Sequence, residues 1–328
     1  MPVTSRKGCI ACGPEAFFVP SPFVHEGDQI HASVPLESRH QGWMEIPHGG
    51  ILMSLLLEAV HHGFDDPFSP GSSDPIRTSF RWGGPTLLLG DNVHVLARRE
   101  PGGIHGSIRR QDEASPSLTA WIDRGPARLD LEDLDPIPQT LELLGKDAKD
   151  KVIPLPYSRN CFVCGSDRSH PGLQRKFFCL DHEHHSVIYT PMGLDPEDES
   201  KLFWYRLSDE ELHPGALAAI LDEVLGWSGF LASRQGGVTV KLEIDFLRPV
   251  DLGERMLCFG TCVRVRGKNP QRLFWYSVGG ILPFGGTDLS PIALARGQWL
   301  AVPKLTEEMR NHLQPAHWLA RWFDPGTA

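Results

Sequence analysis

Two apolar runs in this chain carry polar groups in unexpected places. Pro47-His48-Gly49-Gly50 opens the run 51–60, which holds Glu58, and Leu212-His213-Pro214-Gly215 opens the run 216–231, which holds Asp222 and Glu223. A carboxylate on a buried helix is costly unless it is paired, hydrated or protonated. Each of the three therefore has two readings. It points out through a gap to meet an arginine, or it faces a cleft and does acid/base or nucleophilic work. Adjacent helical residues point about 100° apart, so Asp222 and Glu223 are not expected to face one site together. Gly49-Gly50 lets a ligand approach the backbone closely. It would meet unpaired N–H groups at the positive end of a helix dipole, which suits a carbonyl oxygen gaining negative charge. The plain alternative is a glycine turn leading into a helix.

Four of the seven cysteines form two pairs, Cys9-Ile-Ala-Cys12-Gly13 and Cys161-Phe-Val-Cys164-Gly165. Together they have the ligand count and spacing of a structural zinc site, provided that they meet in space. Each pair also reads as a turn in which glycine follows cysteine. Cys179, Cys258 and Cys262 read as apolar core fillers. The odd count and the Cys-x-x-Cys spacing point to a reducing compartment, and the cytoplasm is expected.

The elements that would position these groups occur twice. The cysteine pairs lie 152 residues apart, and the His-Gly-Gly and His-Pro-Gly helix starts lie 165 apart. Phe80 with Pro85 recurs as Phe246 with Pro249. Landmarks in one order at similar offsets indicate two homologous halves, a fused dimer. The first half is read as residues 1–125, a proline-rich charged linker as 126–156 and the second half as 157–303. The linker is expected to hold one short helix at 139–144. A tail at 304–328 follows, with helical spacing at Leu305, Met309, Leu313, Trp318 and Trp322. In each half a loop or short strand precedes the helix, and strands follow it. They are predicted at 76–82, 93–99, 104–110 and 118–123, then at 238–246, 255–265, 272–278 and 292–302. Val-Thr-Val-Lys-Leu-Glu-Ile-Asp-Phe alternates as a half-buried antiparallel strand should. One long helix followed by consecutive strands is an α+β pattern, an antiparallel sheet with one face on the helix.

Composition agrees. Of 328 residues 41% are hydrophobic and 22% charged, enough apolar surface to offset chain entropy. With 32 Lys+Arg against 41 Asp+Glu the net charge is −9, which argues against a nucleic-acid partner. The start of the chain lacks the apolar stretch of a secretory signal. Neither apolar run reaches the roughly 20 residues of a membrane span, and no membrane partner is expected.

A His-Gly-Gly opening a buried helix, with a carboxylate about nine residues on, resembles the hot-dog-fold acyl-CoA thioesterases. His40-Gln41-Gly42 upstream fits the pattern, as does Cys161-Phe-Val-Cys164-Gly165 with Pro171-Gly172-Leu173 after it. Two copies make the chain resemble a double hot-dog protein. The resemblance implies α+β halves, each a long central helix wrapped by antiparallel sheet, and active sites at the seam between halves. In that family the N–H of the first glycine after the His polarises the thioester carbonyl, and a carboxylate acts as base or nucleophile. Carried over, the glycine is Gly49 in one half and Pro214 in the other, and the carboxylate is Leu57 in one and Asp222 in the other. Proline has no N–H and leucine no carboxylate, so the losses are complementary. Gly49 and Asp222 would make one composite site, and Pro214 and Leu57 a dead one.

The resemblance implies hydrolysis of an acyl-CoA or related thioester, with no cofactor beyond the coenzyme A of the substrate. Asp222, Gly49, Gly50 and His48 are the expected catalytic residues, His48 organising the turn. Gln41 is a second contact for the carbonyl, and Glu58 and Glu223 are neighbours that could replace Asp222 in a shifted helix. Arg264, Arg266 and Lys268 are candidates for the CoA phosphates, and Trp227 and Phe230 for the acyl pocket. Two rivals stay open: an acyl-CoA-binding scaffold with degenerate sites, and a hot-dog dehydratase or hydratase. Further homo-oligomerisation is also open.

Overall fold

In a computed structural model of the chain the described residues are 23–64, 74–130, 134, 152–169, 172–182, 185–193, 202, 205–207, 211–267, 273–285 and 290–316. Six strands belong to the first part: β1 (Val24–Glu26), β2 (Gln29–Pro35), β3 (Ile76–Trp82), β4 (Asn92–Glu100), β5 (Gly103–Arg110) and β6 (Leu118–Arg124). Helix α1 (Gly49–Gly63) lies between β2 and β3. The later part holds β7 (Val152–Pro154), β8 (Tyr157–Ser158), β9 (Phe178–His182) and β10 (His185–Met192), then helix α2 (Pro214–Ser233). Strands β11 (Gly237–Phe246), β12 (Met256–Arg266), β13 (Phe274–Pro283) and β14 (Ala293–Ala301) follow, then helix α3 (Pro303–His312) and β15 (Leu313–Gln314).

One 13-stranded antiparallel sheet runs in the order β1-β2-β4-β5-β6-β3-β11-β14-β13-β12-β10-β9-β7. The two parts meet where β3 pairs with β11, from Ile76 opposite Phe246 to Arg81 opposite Lys241. Helix α1 packs on β2, β4 and β5, helix α2 on β10 to β14, and the helices pack on each other. Each helix is thus covered by sheet on one side and by the other helix on another. That explains sequences apolar nearly all round. Trp227, Trp275 and Trp299 are among the largest fully buried side chains.

The predicted strands lie within five residues of the observed bounds, while β2 and β10 are longer than the anticipated loop or short strand. Helix α2 is also longer than its apolar run. At 20 residues it is long and apolar enough to cross a membrane, but 89% of that window is buried inside the protein. The tail helix stops at His312, and Leu313 pairs with Ser158 instead of extending it. Pro315 disfavours helical backbone at Gln314, which accounts for the early stop. Trp318, Trp322 and the helix expected at 139–144 lie outside the described residues.

The seam in the sheet has a strap. Asp245, fully buried on β11, accepts the Arg128 guanidinium at 2.8 Å and the Leu129 N–H at 3.2 Å. The same guanidinium donates to the Thr78 carbonyl at 2.8 Å, across the β3–β11 pair. Removing the cation would strand a buried carboxylate. Arg128→Ala is expected to lower stability by about 2–4 kcal/mol in urea unfolding, and a change below about 0.5 kcal/mol would refute the strap.

Candidate active site

The site begins with helix capping. His48 is the N-cap of α1, and its Nδ1 accepts the Gly50 N–H at 2.9 Å. An Nδ1 that accepts carries no proton, so neutral His48 holds its proton on Nε2 and donates it to Glu223 Oε2 at 2.9 Å. His213 repeats the arrangement. It caps α2, accepts the Gly215 N–H at 2.9 Å, and its Nε2 lies 2.6 Å from Glu58 Oε2. Each helix start is therefore held by a carboxylate from the other helix. The arginine reading fails for these two acids: their partners are histidines.

Glu58 is 2% exposed and also accepts from His62 at 2.9 Å. Burial pushes its carboxyl up, and the two imidazoles outweigh this and hold it well below its usual range. It lies at the opposite end of the seam from Gly49, which removes it from the substrate-binding residues expected there. In Glu223, too, burial pushes the carboxyl up, and His48, Cys164 and Trp227 together more than reverse this. Trp227 adds its indole N–H to Glu223 at 3.3 Å. Trp227 is fully buried and does not line the cavity described next, contrary to its expected place in an acyl pocket.

Gly49 is the first residue of α1, so its N–H has no acceptor within the helix. Asp222 stands against it: a Cβ added to Gly49 would come within 2.8 Å of Asp222 Oδ2. The other oxygen, Oδ1, accepts the Thr239 hydroxyl at 2.7 Å. Thr239 sits at a β-bulge between Thr239 and Lys241, a device that re-aims side chains beside active sites. Sequence reasoning missed Thr239, because a bulge leaves no mark in alternation. Asp222 is 7% exposed, and burial lifts its pKa to about 6 against the hydrogen bond from Thr239.

Gly49, Asp222 and Thr239 border a cavity of about 300 Å³ whose walls include Trp43, Trp82 and Phe230. Asp222 and Glu223 both border it, which corrects the expectation that they could not share a site. The His48–Gly49 turn is wide enough to meet both, Asp222 at the glycine and Glu223 at the imidazole. Gln41 is displaced from its expected role. It is bridged to Pro47, and its carbonyl accepts the Phe162 N–H at 2.7 Å, while Gly42 and Trp43 reach the cavity.

At the corresponding place in the other seam, Pro214, Leu217 and Phe246 border a cavity of about 60 Å³. Leu57 is fully buried. Arg264 and Arg266 are exposed at the end of β12, and Lys268 lies outside the described residues.

His48, Cys161 and Glu223 present nitrogen, sulfur and oxygen within 4.8 Å of one another, donor types that zinc takes. The tautomer opposes an ion there. A metal on Nε2 would need the proton on Nδ1, where it would collide with the Gly50 N–H. The Cys161 thiol instead lies 3.9 Å from Glu223, as part of the same hydrogen-bonded group. The second cysteine pair thus packs on the seam. Cys9 and Cys12 lie outside the described residues, so the four-cysteine arrangement remains an expectation from sequence. Cys179 and Cys258 are buried as expected, and Cys262 is half-buried.

Residues 211–269, from the turn before α2 to just beyond β12, match the family model of the thioesterase superfamily. Among solved structures, the tesB protein of Mycobacterium avium subspecies paratuberculosis superposes with a TM-score of 0.50 at 10% identity, covering 86% of this chain and 96% of that one. The fold is a hot dog. An isomerase-inactive variant of GphF DH1 shares it at a TM-score of 0.51 and 13% identity, again over 86% of this chain and 96% of that one. The dehydratase domain of PpsC from Mycobacterium tuberculosis, solved with C12:1-CoA, gives a TM-score of 0.47 at 12% identity over 85% and 97%. No curated protein matches by sequence. At these identities the structural likeness speaks for the fold, and the chemistry of this hot-dog protein has to be argued from its own residues.

Asp222 gives a stability test. Its native pKa is raised from about 3.8 to about 6, so the folded state holds a proton that the unfolded state has lost. Stability from this group is therefore present at low pH and falls as pH rises through that window, by up to about 3 kcal/mol. Asp222→Asn removes the dependence and keeps an acceptor for Thr239. The variant should be 1–3 kcal/mol more stable than the parent at about pH 8 and close to it at about pH 4, as read by urea unfolding. A variant less stable at both pH values would contradict the assignment.

Proposed function

We propose that this protein hydrolyses an acyl-CoA thioester at one composite site between two fused hot-dog halves. The observation that carries the reading is the meeting of Gly49 and Asp222 from different halves across a cavity of ligand size. The thioester carbonyl oxygen takes the Gly49 N–H at the positive end of α1, where the dipole stabilises the developing oxyanion. Asp222, with one oxygen fixed by Thr239, has the other free to remove a proton from water or to attack the carbonyl itself. A pKa of about 6 leaves it ionised at neutral pH yet basic enough to accept a proton. Collapse of the tetrahedral intermediate expels the CoA thiolate, which takes the proton that Asp222 removed from water; where Asp222 attacks instead, water hydrolyses the acyl-aspartyl anhydride and supplies that proton.

His48 serves the turn rather than the chemistry. Both of its ring nitrogens are engaged, one by Gly50 and one by Glu223, so neither is free to take a proton from substrate. This favours hydrolysis over the dehydratase reading, which needs a free His base. The reciprocal His–Glu pairs support two halves related by duplication. The small cavity beside Pro214, which has no N–H to offer, supports a single working seam.

Thiol release from a panel of acyl-CoAs tests the reading. Asp222→Asn should lose about 10²–10⁴ of kcat. The parent's kcat/KM should rise with pH to a plateau along a limb near 6. Thr239→Val should lower kcat about tenfold or more and move that limb upward, because the charged carboxylate loses a hydrogen bond. Turnover that survives Asp222→Asn would overturn the assignment, and turnover on no thioester by folded protein would leave the binding-scaffold reading in its place.

A further inference from the structure

Helix α2 has three interior glycines, and only two of them are required by packing. A Cβ at Gly215 would lie 2.4 Å from Ser54 Oγ, and one at Gly229 would lie 1.8 Å from Trp275 Cδ1. At Gly226 the nearest atoms would be Phe230 Cζ and Trp299 Nε1, both at 3.6 Å, which is ordinary contact distance. The backbone there is regular helix, where glycine is about 1 kcal/mol worse than alanine. What the missing side chain provides is space. Gly226 lines the large cavity, as do Asp222 one turn before it and Phe230 one turn after it. These three residues form one face of α2, since residues four apart stack along a helix.

We infer that Gly226 is the floor of the acyl channel and that Phe230 is its end wall, which makes these two residues the determinants of acyl length. The inference rests on the reaction proposed above for Gly49 and Asp222, and names its substrate class as short-chain acyl groups. The channel runs from the carbonyl position at Asp222, over Gly226, to Phe230. Phe230 is 5% exposed and braced edge-on by Trp227 at 5.7 Å and Trp275 at 5.5 Å, so it does not swing aside readily. The Phe230 ring leans back along the helix, its Cζ 3.6 Å from where a Gly226 Cβ would stand, so the end wall lies about one helical turn, some 6 Å, beyond Asp222. An extended chain covers that in about five bonds, at roughly 1.1–1.2 Å per bond. The CoA arm leaves past Gly83, Gly84 and Thr86, which line the cavity and are exposed.

Binding of unreactive S-alkyl-CoA thioethers, measured by calorimetry, tests this independently of turnover. In the parent each added methylene should strengthen binding about fourfold until the chain meets Phe230, then no further. Gly226→Ala adds one carbon and should move that break about one methylene shorter. Gly226→Val adds three and should weaken a channel-filling chain about sixtyfold relative to a short one. Phe230→Leu should move the break to longer chains. Gly226→Ala improves helix propensity, so a thermal midpoint at or above the parent's certifies its fold. A break at the same chain length in Gly226→Ala, Gly226→Val and the parent would overturn the inference, and so would affinity independent of chain length in the parent. If the breaks move as stated while no thioester is hydrolysed, the length determinants stand and the hydrolytic reading falls.

Discussion

Each central helix of this protein begins under the control of the other. A histidine at the N-cap turns one nitrogen to its own helix backbone and the other to a carboxylate on the opposing helix, and this happens in both directions. Two carboxylates and two imidazoles that would be costly to bury singly lie against each other, His48 hydrogen-bonded to Glu223 and His213 within 2.6 Å of Glu58. Breaking any one member would leave a buried partner unmatched. The pairing also fixes the spacing and rotation of α1 against α2. It thereby fixes how the first N–H of α1 faces the side chains of α2. The β3–β11 pairing and the Arg128 strap hold the sheets in the same relation from outside.

The shared frame makes the asymmetry informative. Where the frame alone is at stake, the halves agree: His48 with His213, Glu58 with Glu223. One residue away on each element, they part. Gly49 stands opposite Asp222 in one seam, and Pro214 and Leu57 occupy the matching places in the other. Proline at the first helical position is favourable for a helix and useless as a donor. Leucine removes the burden of burying a charge. The second seam thus has residues that favour stability, and its cavity is about 60 Å³ against about 300 Å³. The first keeps a half-satisfied acid in a hollow, the kind of local expense that functional sites carry.

Much of this was legible in the residues. The helix starts and most strand positions follow from spacing, and the Gly49–Asp222 partnership follows from the family resemblance together with the chemistry of proline and leucine. Other features were not, each for a definite reason. The role of Glu223 was hidden because helical geometry gives the angle between neighbours but not the width of the group they face, and the His48 turn is wide enough to meet both. Thr239 was hidden because the sequence of β11 alternates unbroken through the bulge that re-aims it. Gln41 looked polar and near, but its segment is bridged back on itself and to Phe162 by backbone hydrogen bonds.

The adjacent acids divide the work through their hydrogen bonds. Glu223 is met by the His48 and Trp227 N–H donors with the Cys161 thiol beside it, and it stays ionised as a fixture. Asp222 has one firm donor, Thr239, on one oxygen, and nothing as strong on the oxygen that faces Gly49. Burial is much the same for both, so desolvation alone cannot separate them. The number of donors does, and it separates them in the direction that chemistry at the Gly49 N–H requires. A carboxylate stabilised from every side makes a poor base, because taking a proton would cost it those bonds. The acid left short of partners is the one with affinity for a proton to spare, and it is the one that the frame holds against the open helix end.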